Sequence, residues 1–270
     1  MPRLWRPVLG CHDAETRLGA GNPMTHATEN STRHPDGSAN HSRLQSLLDG
    51  RLAVGHEFFL IALNDRTGKL RLNPDAFGLG LAGALVGELV LSHHLTVNGD
   101  ALAPLTHELP PDTWLAAKFA RLIAEPHVTE LRTWLRFFAT TAESEIAGQL
   151  QRHGWVDIHT RKTNRSLGLR TSTAYLPRNT NRIAWRSGRL AVLLTGLDPH
   201  LRAGHPVPWP EVLLAGLLDA VGLLDLVLWH TPRPSCRPAL TWCLRQHPAL
   251  YALVTEVGSV HAGLVCSRLT

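Results

Sequence analysis

The chain has 270 residues, 44% of them hydrophobic, which is enough for one large domain or two small ones with a true core. Its formal charge of +5 and pI of about 9.4 favour an anionic partner. The cysteines at positions 11, 236, 243 and 266 neither cluster nor show C-x-x-C spacing. They therefore argue against a zinc site or a disulfide framework, and they fit a reducing, cytoplasmic compartment.

The first 50 residues are polar and rich in Gly, Pro, Asn, Ser and His, with almost no periodic apolar pattern. Such a composition cannot bury enough apolar surface to offset the entropy of ordering. We therefore predict a disordered N-terminal extension over residues 1–50, followed by a domain over residues 51–270.

The centre of that domain is predicted to be a short apolar strand at residues 58–63, a polar turn and a long apolar helix. Asn73 is a good N-cap, Pro74 suits the first helical position, and Glu88 is the only charge between residues 76 and 91. A helix that is apolar all round belongs inside a domain. Its four glycines each cost about 1 kcal/mol relative to Ala, so we expect neighbouring groups to approach them closely.

Further elements follow in chain order. We predict a hairpin turning at Asn98-Gly99, and a helix capped by Asp112. The other predicted elements are helices from about 129 and over 142–153, a hairpin of 155–159 with 167–170, a helix over 181–194, an apolar helical block over 211–229 broken near 222, and an amphipathic stretch over 238–268. The expected fold is a mostly α, single helical domain around two apolar central helices, with small β-hairpins at its margin. Neither apolar block is predicted to span a bilayer, because charged residues interrupt both.

Three motifs could carry chemistry, and each has a simpler interpretation. Gly78-x-Gly80-x-x-Gly83 matches the dinucleotide fingerprint, but the cap at Asn73 places those glycines within the helix rather than before it. Core packing is therefore the better interpretation. We predict no bound cofactor.

Two other groups involve ionisable side chains. His93 and His94 could ligate a metal, yet adjacent helical residues point about 100° apart and no third ligand is near. Asp219 and Asp225 could act as a carboxylate pair, but they more simply mark helix ends at a break near Gly222. We assign no catalytic residue and no metal ligand, and we expect a protein that is not an enzyme.

The strongest charge feature is the segment from residue 158 to residue 197, which contains no Asp or Glu. It is either a solvated face or a surface that binds anions. We take six of its cations as candidate lipid-binding residues and expect them to be mostly exposed, with several on one side. They are Arg161, Lys162, Arg165, Arg178, Arg182 and Arg186.

Three blocks of sequence resemble the Golgi phosphoprotein 3 family, whose domain is called GPP34. The first is FLIALNDRTG at residues 59–68 with FGLGLAGALVGEL at residues 77–89. The second is IAGQLQRHG at residues 146–154, and the third is LLAGLLDAVGLLD at residues 213–225. The similarity covers about residues 57–267 and is greatest to bacterial members of the actinobacterial type.

The resemblance implies a mostly helical peripheral membrane protein. Eukaryotic members bind phosphatidylinositol 4-phosphate on the cytosolic face of the Golgi and retain glycosyltransferases by their cytosolic tails. The resemblance also implies that a Trp and three Arg hold the lipid head group. Asn73 stands here in place of the Trp, and Ala82, Thr140 and Glu143 in place of the arginines. The family's head-group residues are therefore not retained.

The partner predicted from sequence is accordingly anionic membrane lipid in general, bound through the basic segment, with cytosolic tails of membrane proteins as a second expected partner. The alternative is a winged-helix-like nucleic-acid-binding protein, since a helix, Gly154, a strand, a basic turn and a strand also describe that module. Glu143 and Glu145 on the preceding helix disfavour nucleic acid. The sequence gives no oligomeric state.

Overall fold

The computed structural model describes residues 52–165, 168–198, 206–228 and 236–267. The predicted disordered extension over residues 1–50 lies outside them. The helices are α1 Val54–Ala62, α2 Pro74–Leu91, α3 Thr113–Ile123, α4 Leu131–Arg152, α5 Thr180–Thr195, α6 Trp209–Ala220, α7 Leu224–Val227, α8 Cys236–Arg245 and α9 Pro248–Cys266. The strands are β1 Leu95–Asn98, β2 Ala101–Pro104, β3 Val156–Arg165 and β4 Gly168–Pro177.

The strands form two separate antiparallel hairpins, β1 with β2 and β3 with β4. The first turns at Gly99, whose φ of +64° is a conformation that favours glycine. The remaining elements are helices around one apolar core. The predicted fold class, a mostly helical single domain with small marginal hairpins, is confirmed.

Helix α2 is the core of the domain, as its sequence predicts. The Asn73 side chain accepts a hydrogen bond from the backbone N–H of Ala76 at 2.9 Å, and Pro74 opens the helix. A Cβ at Gly87 would come within 2.4 Å of a methyl group of Leu213, and one at Gly83 within 2.7 Å of a methyl group of Leu217. The glycines therefore let α6 pack closely on α2. The two apolar central helices expected from the sequence therefore pack against each other.

The predicted strand at residues 58–63 is wrong, because this run lies in helix α1. Only Leu63, just beyond the helix, makes a strand-like bridge, and its partner is Leu70. Phe58, Phe59 and Leu60 are completely buried. A helix buried on nearly every side shows the same unbroken apolar run as a buried strand, so the pattern alone cannot tell them apart.

Two helix boundaries also differ from the predictions. Residues 131–152 form one continuous helix, α4, where two were predicted, because nothing between them ends a helix until Gly154, whose φ is +72°. The final stretch contains two helices, and the second begins at Pro248 with His247 as its N-cap. The predicted break near Gly222 is confirmed, at φ +76°.

Two helices are long and apolar enough to cross a membrane when judged by length and composition alone, α2 and α9. Most of α2 is buried within the domain, which is the position of a core helix. Most of α9 is not buried, although Leu250, Leu253 and Val257 are in the core.

Candidate functional site

The basic segment folds into two adjoining elements, the β3–β4 hairpin and helix α5. The hairpin pairs Val156 with Pro177 at its base and Arg165 with Gly168 at its tip. It is longer than predicted, because its polar strands carry little apolar alternation to mark their ends. Pro177 leads through Arg178 to Asn179, whose side chain caps α5 by accepting a hydrogen bond from the backbone N–H of Arg182.

The six candidate cations occupy different environments. Arg161 lies exposed on β3, opposite Ser172. Lys162 and Arg165 lie on the same strand, towards its tip, and their side chains are outside the described part of the structure. Two of the predicted cations are therefore placed by the backbone only.

Arg178 is exposed but paired. Its guanidinium donates hydrogen bonds to Asp157 at 2.8 and 3.0 Å, across the base of the hairpin. This bond holds the pKa of Asp157 below its usual range. Asp157 lies one residue before the acid-free segment, so the charge of Arg178 is partly neutralised by a near neighbour in the chain.

Arg182 lies over an aromatic ring. Its guanidinium carbon is 3.7 Å from the centre of the Trp155 ring, within the range of a cation–π contact. No carboxylate lies within ion-pair distance of Arg182 among the residues that the structure describes. Trp155 thus holds a cation in a fixed position at the junction of the hairpin and α5.

The expectation that Arg186 is exposed is wrong. Only 4% of its side chain is exposed, and it forms an ion pair with Glu57 of α1. It also lies over Trp155, with its guanidinium carbon 4.5 Å from the ring centre. The helical period puts Arg186 on the same face as Ile183 and Leu190, and its acidic partner lies 129 positions away in sequence.

Two of the four positions that the sequence resemblance relates to a lipid head group, Thr140 and Glu143, lie on α4 beside the start of α2. A groove of about 400 Å³ is lined there by Pro74 and Asp75 of α2, Arg136, Thr140 and Glu143 of α4, and Leu264 of α9, among others. Asn73 precedes the groove and serves as the N-cap of α2. Ala82 is fully buried and does not line it.

The carboxylate of Glu143, which lines this groove, is hydrogen-bonded to a tyrosine hydroxyl. Tyr175 of β4 donates a hydrogen bond to its carboxylate at 2.6 Å. Burial, and then this bond to Glu143, raise the pKa of Tyr175 above its ordinary value. The wall of the groove therefore presents two carboxylates, Asp75 and Glu143, beside the guanidinium of Arg136, a combination that does not favour a phosphomonoester.

A second groove, of about 560 Å³, runs along α5. It is lined largely by apolar and small side chains from the end of α1, from α5 and from α7, with Asp65 and Arg71 at its rim. These two charged groups lie 3.8 Å apart. The groove has the composition of a site for an apolar side chain or a short peptide.

The other residues singled out in sequence have structural roles. Gly78 approaches the backbone of α4, where an added Cβ would come within 2.5 Å of the carbonyl oxygen of Ala139. Gly80 faces the ring of Phe58, so these glycines are packing positions within a helix. Asp219 and Asp225 both form ion pairs with Arg237, at 3.0 and 3.1 Å, close to the helix break. His93 and His94 follow the end of α2, as expected for a helix-end pair.

Sequence reasoning missed Trp155 and Trp185 as parts of the basic surface. The sequence pattern predicts Trp155 only as the first residue of a strand, and it led to no predicted role for Trp185. The available signal was spacing, because Trp185 follows Arg182 by three residues and precedes Arg189 by four.

Together these features define a helical domain with a basic hairpin and an adjoining basic helix at its surface. Comparison with known families matches residues 54–257 to the Golgi phosphoprotein 3 (GPP34) family. The chain belongs to this family, and the resemblance noted in its sequence is confirmed. Membership implies peripheral association with membranes. No curated protein matches the chain.

Proposed function

We propose that this chain is a non-enzymatic peripheral membrane adaptor that binds anionic lipid through its basic hairpin and helix α5. The observation that carries the proposal is the acid-free segment from 158 to 197, which folds as one continuous hairpin and helix. Exposed Arg161 and the stacked Arg182 are its best-placed described cations. Each Lys or Arg near an anionic leaflet contributes about 1 kcal/mol of binding free energy.

The proposed lipid specificity is general rather than for phosphatidylinositol 4-phosphate. Bidentate guanidinium contacts are what a phosphomonoester pocket requires, and Ala82, Thr140 and Glu143 cannot supply them. The carboxylate of Glu143 would also repel a phosphate. The anionic lipid is therefore expected to be recognised by its charge.

The second proposed partner is the cytosolic tail of a membrane protein. The groove beside α5 supports this idea, since its apolar lining and its Asp65 and Arg71 rim suit a short peptide. The proposed location is the cytosolic face of a membrane in the cytoplasm, and the proposed subgroup of the family is the bacterial, actinobacterial type.

The nucleic-acid alternative is less well supported. In a winged-helix module, a helix beside the wing enters a DNA groove and needs basic residues. Helix α4, which precedes the hairpin, carries Glu143 and Glu145. Glu145 accepts hydrogen bonds from Lys118 at 2.6 Å and from the indole N–H of Trp114 at 2.7 Å. The charge of Lys118 is therefore already paired with a carboxylate.

Flotation with lipid vesicles tests the proposal. The full chain should float with phosphatidylcholine vesicles that contain about 30% phosphatidylserine, and should remain unbound with phosphatidylcholine alone. The double variant R161Q/K162Q should lower the partition coefficient by roughly thirtyfold, which corresponds to two cations at about 1 kcal/mol each.

The matched control is R121Q/R245Q, which removes the same net charge from exposed positions on α3 and α8. It should change partitioning by less than about threefold, because neither residue belongs to the basic hairpin or to α5. Equal losses in the two variants would mean that net charge alone drives binding. A DNA gel shift with the wild-type chain is run in parallel. If the chain binds DNA but no vesicle, the result favours the nucleic-acid-binding alternative.

A further inference from the structure

The outer face of helix α5 combines exposed apolar side chains with cations. Arg182, Trp185, Arg189 and Val192 follow one another at spacings of three, four and three residues, which places them on one face. Trp185 is 54% exposed and Val192 is 72% exposed, the largest exposed fraction among the large apolar residues described. Such a face exposes apolar surface to water, and contact with a membrane or another protein would bury that surface.

The opposite face of the helix is firmly attached to the domain. Ile183, Leu190 and Leu194 are buried there, and Arg186 forms its buried ion pair with Glu57 between them. The outer face is therefore presented by a helix that is fixed in the folded domain, so it needs no rearrangement to be available.

The cations of this face lie beside its aromatic residue. The guanidinium carbon of Arg189 is 5.6 Å from the centre of the Trp185 ring, and Arg189 also reaches Glu211 at 3.5 Å. Arg182, one turn before Trp185, lies over the ring of Trp155. The helix itself contains no Asp or Glu.

We propose that α5 lies within the head-group region of an anionic bilayer, parallel to its surface, with Trp185 and Val192 directed towards the acyl chains and Arg182 at the level of the phosphates. Trp is favoured at the membrane interface, and an apolar face with neighbouring cations is how interfacial helices bind. Charge selects the occupant, because a helix that contains no Asp or Glu and carries Arg182 beside its apolar residues is complementary to anionic lipid. This inference rests on the proposed function and names the element that enters the membrane.

Helix α9 is the competing element, since it is long, apolar and mostly unburied. It exposes Tyr251 and Val265. Its own sequence carries no Lys or Arg, and its one acid, Glu256, is paired with Arg132 at 2.6 Å. It therefore offers no attraction to an anionic leaflet comparable to that of α5.

A fluorescent label placed on each helix distinguishes them. Cys266 is exposed at the end of α9, whereas Cys236 and Cys243 are buried, so C11S labelled with an environment-sensitive dye reports from α9. The variant C11S/C266S/V192C carries the same dye on α5. Both are mixed with phosphatidylcholine vesicles containing about 30% phosphatidylserine, and flotation is recorded on the same samples.

The label at position 192 should shift to shorter wavelength and brighten when vesicles are added, and the label at Cys266 should not. If both proteins float while only the α9 label responds, or neither does, the inference about α5 is overturned, and the proposed binding to anionic lipid still stands. If neither protein floats, the proposed function itself fails.

A pair of tryptophan variants gives a second readout that does not need labels. Trp242 on α8 is 52% exposed, which matches Trp185, so W242A is the control for W185A. W185A should lower vesicle partitioning by roughly tenfold or more, because it removes an aromatic ring from the interface. W242A should have little effect, and equal thermal melting of the two variants confirms that both are folded. An equal loss of partitioning in both would contradict the placement of α5.

Discussion

Arg186 and Glu57 form an ion pair with almost no access to water, at 4% and 7% side-chain exposure. Two charges taken out of water are tolerated only while each balances the other. The pair joins α5 to α1, so it fixes the helix whose outer face carries Trp185. Arg186 is thus not part of the exposed basic surface; its ion pair holds α5, the helix that carries Trp185, in place.

The first prediction concerns this pair. E57Q should lower the free energy of unfolding by about 3–5 kcal/mol, because it removes the Glu57 carboxylate from the buried guanidinium of Arg186. The double variant E57L/R186M should recover much of that loss, since apolar side chains of similar size often replace a buried pair at little cost. Urea denaturation measures both. Losses below about 1 kcal/mol for E57Q would show that water reaches the pair.

Glu88 gives the second prediction, on pH. Burial raises its pKa to about 7, although its carboxylate accepts a hydrogen bond from the N–H of Gly55 at 3.1 Å. Between pH 4.5 and 7 the folded state therefore binds more protons at this site than the unfolded state does. The contribution of Glu88 to stability is fully present below that window and is lost as pH rises through it.

E88Q should remove this contribution to the pH dependence. Its unfolding free energy should fall less between pH 5 and pH 7.5 than that of the wild type, because the amide cannot ionise. At pH 8 it should be at least as stable as the wild type, which then carries a buried charge. Parallel pH profiles of the two proteins would contradict the assignment.

At the scale of elements, the glycines of α2 determine how closely its neighbours approach. A Cβ at Gly78 would come within 2.5 Å of the backbone oxygen of Ala139, which cannot move without moving α4. At Gly148, on α4, an added Cβ meets nothing within 4 Å. The two positions are thus a matched pair of helical glycines with opposite surroundings.

The third prediction follows from that pair. G78A should lower the free energy of unfolding by roughly 1–3 kcal/mol through overpacking. G148A should raise it by about 0.5–1 kcal/mol, because Ala has the higher helix propensity and there is room for its methyl group. Denaturant titration of both measures the difference. A stabilised G78A would mean that α2 and α4 are not in contact at this point.

These elements also show how far the sequence determines the fold. The cap at Asn73, the break at Gly222 and the burial of α2 were predictable, since each depends on local chemistry or on a long apolar pattern. Helix α1 was not, because nine mostly apolar residues carry no period that separates a helix from a strand. Tertiary packing decided it.

The basic surface was predictable in part for a similar reason. Its position in the chain follows from the absence of acids between 158 and 197. The partners of its cations do not, since Glu57 comes from α1 and Trp155 from the base of the hairpin. A window of sequence cannot show which arginines are neutralised or stacked by residues outside it.

For the molecule as a whole, we propose that the chain binds anionic membranes by electrostatic attraction, without a pocket for a lipid head group. The groove at the start of α2 supports it, with Glu143 bound to Tyr175 and Ala82 buried. Binding by charge depends on ionic strength, because the Debye length falls from about 10 Å at 0.1 M to about 3 Å at 1 M salt. A phosphate held in a pocket by bidentate hydrogen bonds would be screened much less.

The most direct test is the salt dependence of partitioning into two vesicle preparations of equal surface charge. In one preparation phosphatidylserine supplies all of the charge, and in the other phosphatidylinositol 4-phosphate supplies part of it. We predict two superimposed curves that both fall steeply between about 0.1 M and 1 M salt. Tighter, salt-resistant binding to the phosphoinositide vesicles would contradict the loss of the pocket, and no binding to either would contradict the membrane function.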